Sequence, residues 1–152
     1  MGYYVHLSVV FNCDQNDGVA ALAKKHLTVL PPVDHEDHCD EAQWFLEDLA
    51  GRTGENRGPK GGLSTWGMVG NYTHAEEFVK VLAPFWLELL QADGKSGGPL
   101  CHEHILVFYE PEQSEAANAI EIVLESEDEM ERGKGRLVIY HHQGLPFCWG
   151  QY

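Results

Sequence analysis

Tyr3, Val5, Leu7, Val9 and Phe11 alternate with Tyr4, His6, Ser8 and Val10. A period of two with one polar-leaning face predicts a strand over residues 3–11, covered mainly on one side. Asn12-Cys13-Asp14 follows, with Asp17 three residues beyond Asp14. That spacing reads as the capped start of a helix whose apolar stripe is Val19, Leu22, Ala23 and His26. On this reading Cys13 belongs to the capping region. Pro31-Pro32 stops the segment, and residues 33–40 are polar and without a period.

Ala42, Phe45, Leu46 and Leu49 return to helical spacing, which predicts a second helix over residues 40–50 with Gly51 placed to end it. Leu63 to Val69 reads as a strand. Thr73 and Glu76 have the spacing of a capping box. The stripe Phe78, Val79, Leu82, Phe85, Trp86, Leu89 and Leu90 continues from it as a helix that Pro84 kinks or restarts.

Residues 102–110 are apolar on both faces, as in a central strand. Ile120, Ile122 and Leu124 alternate with Glu121 and Glu125, so that strand has one wet face. Ser126 to Gly135 is a charged turn, and Arg136 to His142 forms the last clear strand. Leu145 to Tyr152 reads as an apolar tail docked on the core.

The order of elements predicts one α+β domain over residues 1–152. It is a two-layer mixed β-sheet of about five strands, with helices packed on one face and a C-terminal antiparallel meander. The chain is 43% hydrophobic and 22% charged, the range of a folded domain. Its net charge of −14 argues against a nucleic-acid-binding surface, which needs clustered Lys and Arg. No apolar run reaches the roughly 18 residues of a membrane span, so no membrane partner is expected. Cys13, Cys39, Cys101 and Cys148 form no C-x-x-C pair. They are read as free thiols of a cytoplasmic protein.

Chemistry is sparse. No intact nucleophile elbow, P-loop, zinc-finger or zincin spacing is present. Nine histidines are nevertheless grouped. His35, His38 and Cys39 lie among acidic residues, His102 and His104 share one face of a predicted strand, and His141-His142 ends another. Imidazole, thiolate and carboxylate suit a divalent transition metal such as zinc. His102, His104, His35, His38 and Cys39 are therefore one candidate site. Arg52, Arg57 and Lys60 concentrate basic charge in a Gly-rich loop over residues 52–62, a candidate anion site.

Two functions follow as expectations. The first is a binding or interaction protein, self-associated as a homodimer through an open sheet face or an edge strand, with Tyr4, Trp66 and Tyr140 on the uncovered face. The second is a metal-binding protein or metal-dependent enzyme built on the His/Cys/Asp clusters.

Overall fold

The computed structural model describes residues 4–13, 16–51, 63–71, 75–94, 97–111 and 116–146. The Arg52–Gly62 loop with Arg52, Arg57 and Lys60, the Thr73 cap, and Cys148 within the expected tail lie outside these residues.

Ten elements follow one another. They are β1 (Tyr4–Cys13), α1 (Asn16–Leu27), α2 (Asp40–Ala50), β2 (Leu63–Asn71), α3 (Ala75–Val81), α4 (Ala83–Gln91), β3 (Cys101–Pro111), β4 (Ala116–Glu125), a short 3-10 helix (Glu129–Lys134) and β5 (Arg136–Pro146). The sheet order is β2-β1-β3-β4-β5. The fold is α+β in two layers, and its C-terminal part, β3-β4-β5, is the expected meander.

Every ladder is antiparallel, where a mixed sheet was expected. The connection between β1 and β2 supplies the reason. It contains two helices, α1 and α2, packed on each other. The chain therefore crosses the helical layer twice and enters β2 running against β1. A single crossover helix would have made those strands parallel. β2 and β3, joined through α3 and α4, then flank β1 on opposite sides, both antiparallel to it.

β1 shows how the alternation becomes a layer. Leu7, Val9, Phe11 and Cys13 are buried against the helices, while Ser8 and Asn12 are exposed. Cys13 thus ends the strand, and α1 starts only at Asn16, which corrects the capping-region assignment. Ile105 and Val107 of β3 and Ile120 and Ile122 of β4 complete the sheet's contribution to the core.

From the helices come Phe45, Phe78, Phe85 and Trp86, which form one aromatic cluster with ring centroids 5.4–6.2 Å apart. The indole N–H of Trp86 donates to the Val79 carbonyl at 3.0 Å, so its burial leaves no donor unsatisfied. Pro84 sits in the first turn of α4, where its missing N–H costs nothing, and the apolar stripe is divided at Leu82. The Glu88 carboxylate on α4 accepts from Lys25 at 2.6 Å and His26 at 2.5 Å, tying α4 to α1. Lys25, and then His26, hold the Glu88 carboxyl below its usual range.

The helical layer covers only the start of the last strand, where Leu137 packs against the core. Ile139 is the register partner of the fully buried Ile122, yet it remains 42% exposed. Among the described residues nothing pairs with the outer edge of β5.

Candidate functional site

Residues directly opposite in a ladder share a face, so the registers define the side of the sheet away from the helices. Val10 of β1 stands opposite Leu106 of β3. Leu106, Phe108 and His104 stand opposite Glu121, Ala119 and Val123 of β4. Those in turn meet Tyr140, His142 and Val138 of β5. Val10, Leu106, Phe108, Val123 and Val138 are half-buried and Tyr140 is 49% exposed. The middle of this face is apolar around one ionic knot, with Ser8, Asn12 and the Glu125–Arg136 pair at its margins.

The knot is Glu121. Its two carboxylate oxygens lie 2.9 Å from His104 Nδ1 and 3.1 Å from His142 Nε2, and the second contact is a hydrogen bond. A carboxylate only accepts, so His142 presents its Nε2–H to it. The carboxylate pins β3, β4 and β5 side chains together across the meander. The alternation marked Glu121 as a wet-face residue but carried no sign of this role. The parity of His142, opposite to that of His141, was the available clue.

Three of the five metal-candidate residues line two separate clefts, and His35 and His104 line neither. His102 lines a cleft of about 610 Å³ at one end of the sheet with Asn12, Leu90, Cys101 and Arg132. The ladder is interrupted beside it. Asn12 pairs with His102 but Phe11 pairs with Ile105, so two residues of β3 have no β1 counterpart. His104, one of those two residues, lies beside Glu121.

His38 and Cys39 line a second cleft, of about 380 Å³, between residues 31–39 and α3, with Glu36, Asp37, Glu77 and Lys80. His35 Nδ1 accepts the Asp37 amide N–H at 3.0 Å. His38 places Nδ1 3.0 Å from the Pro31 carbonyl oxygen and Nε2 2.7 Å from an Asp40 carboxylate oxygen. Both partners only accept, so the two contacts together favour the imidazolium, which has no lone pair for a metal. Burial pushes the Cys39 thiol up to about 11, far from a ready thiolate. Among the described residues no group of three or more His, Cys, Asp or Glu side chains is arranged to hold a metal ion.

No family model, curated protein or solved structure matches the chain. Among the described residues no helix is long and apolar enough to cross a membrane.

His38 has a measurable signature. The hydrogen bond to Pro31, then that to Asp40, raises its pKa above the ordinary 6.5. A raised folded value means that this stabilisation is complete below 6.5 and is lost as pH rises through the higher folded value. Replacing His38 by Gln should lower Tm most at about pH 5.5, and the gap should narrow by about pH 9. Thermal melts of both proteins across that range check it. A gap that widens with pH contradicts the imidazolium assignment.

Proposed function

We propose that the chain is a binding protein that assembles with a second copy of itself by pairing β5 edge to edge. The observation that carries this reading is the pair Ile139 and Tyr140. These adjacent residues are 42% and 49% exposed, and they point to opposite faces of an edge strand. Monomeric proteins blunt such edges with charge, proline or a bulge. Here the bulge lies further along, where Ala117 pairs with Leu145 and Ala119 with His142, and Pro146 ends the strand. Residues 137–142 are left as a regular stretch without Asp, Glu, Lys, Arg or Pro.

Charge supports the same edge. The chain carries −14, which sets two copies against each other over most of their surface. Between Arg132 and Tyr152 there is no Asp or Glu, while Arg132, Lys134 and Arg136 are basic. Two copies meeting along β5 therefore bring together the least repulsive strip available. A strand that pairs with its own copy runs antiparallel to it, which closes a two-fold dimer and leaves no growing end. With the two-fold at Ile139, Val138 of one copy adjoins Tyr140 of the other, a favourable β-branched and aromatic pair.

Hydrogen exchange tests the edge directly. Outward-facing amides of residues 136–142 should exchange slowly at high protein concentration and at least about tenfold faster on dilution below the dissociation constant. The amides of β1 and β3 should be unaffected by dilution. Concentration-independent exchange along β5, in a sample shown to be associated, would assign the contact to another surface.

A further inference from the structure

Cys13 and Cys101 meet in the structure although 88 positions separate them. They are direct register partners at the β1–β3 pairing. Neither is in a disulfide, each is only 2% exposed, and both belong to the core side of the sheet. Directly opposite residues in an antiparallel pair have Cβ atoms about 4.5–5.5 Å apart, and a disulfide needs roughly 3.5–4.5 Å. Closing that gap takes a small inward movement of one strand end. Slack is available beside the pair, because the next residues of β3 belong to the bulge between His102 and Ile105. Access exists too, since Cys101 forms part of the wall of the 610 Å³ cleft at this end of the sheet.

We propose that Cys13 and Cys101 are a paired-thiol modification site that closes into a cross-strand disulfide on reaction with a hydroperoxide. One cysteine, as thiolate, attacks a peroxide oxygen. The O–O bond breaks, and a sulfenic acid and hydroxide result. The second thiol's sulfur then attacks the sulfenic sulfur, forming the S–S bond; its proton leaves with the sulfenic hydroxyl as water, and the proton lost when the first thiol ionised neutralises the hydroxide. With hydrogen peroxide, two thiols lose two electrons and two protons and the peroxide becomes two waters.

The surroundings set the pace. Burial, and then the neighbouring Cys13, push the Cys101 thiol up to about 12. The thiolate is therefore scarce near neutral pH, and the reaction is slow there and quickens by up to about tenfold per pH unit. Once made, the bond staples two central strands across a loop of roughly 90 residues and constrains the unfolded chain.

The test uses the full chain, treated with hydrogen peroxide well below its Tm, alkylated, digested without reductant and examined by mass spectrometry. The expected product is a peptide pair joining Cys13 to Cys101, reversed by dithiothreitol. Tm of the oxidised protein should rise by on the order of 10 °C. Cys13→Ser and Cys101→Ser should each abolish the linked peptide. Should a variant fail to fold, the linked peptide in the unsubstituted chain still decides. Linkage of either cysteine to Cys39 or Cys148 instead, sulfinic or sulfonic acid at Cys101 without the linked pair, or no reaction in a sample whose urea-unfolded control oxidises, would each overturn the proposal.

Discussion

Phe45→Ala should cost about 3–5 kcal/mol of folding free energy, the usual range for removing a buried aromatic ring. Phe45 is fully buried and is the hub of the helix-layer cluster. Its ring centroid lies 5.6 Å from Phe78, 6.0 Å from Phe85 and 5.4 Å from Trp86. The substitution removes contacts with three rings on two helices at once, and rigid neighbours in α4 and against the sheet can close the cavity only in part. A domain of this size typically has about 5–15 kcal/mol in total, so the loss is a large share of it. Urea unfolding of the variant should show a lower midpoint with little change in slope. The adjacent Trp44 is 49% exposed and serves as the control: Trp44→Ala should stay within about 0.5 kcal/mol. A milder effect at Phe45 than at Trp44 would refute the packing described.

Ile139→Lys should weaken self-association at least about 100-fold while leaving the monomer folded. In a two-fold pairing centred on Ile139 the substitution places two lysines against each other and removes two apolar side chains from the contact. A loss of about 1.4 kcal/mol per copy gives that factor. The monomer is spared because Ile139 is 42% exposed and lies beyond the helical layer. Lysine on an edge strand is also a common natural guard against pairing. The readout is the dissociation constant from sedimentation equilibrium, with circular dichroism and Tm as the check on folding. An unchanged dissociation constant would remove β5 from the interface.

Within single elements much of the fold was legible. The alternation in β1 named Leu7, Val9 and Phe11 as core, the stripe of α2 named Ala42, Phe45, Leu46 and Leu49, and Pro84 marked the division of α3 from α4. These features depend on the local period of the backbone, which a sequence carries directly. The all-antiparallel order was harder. It depends on α1 and α2 packing as a pair, a tertiary choice that no local pattern specifies.

The candidate site was less legible for a related reason. Histidines close in sequence suggested shared ligands, but what counts is the partner across the ladder. Glu121 meets His104 from β3 and His142 from β5, and Cys13 meets Cys101, through registers set by bulges and turns. The exposure of Ile139 was hidden for a different reason. Its parity places it on the core side, opposite Ile122, and only the extent of the helical layer leaves it 42% exposed.

Sedimentation equilibrium of the unsubstituted chain at two salt concentrations tests the central claim most directly. Two copies that each carry −14 repel over distances that salt shortens to about 8 Å at 0.15 M. A β5–β5 contact, made by backbone hydrogen bonds and apolar side chains with no acidic residue in the strip, should therefore tighten as salt rises. The predicted result is a dimer of twice the 17.1 kDa chain mass, with a dissociation constant that falls between about 0.05 M and 0.5 M salt. A single 17.1 kDa species at every concentration and salt, or a dimer that salt dissociates, would contradict it.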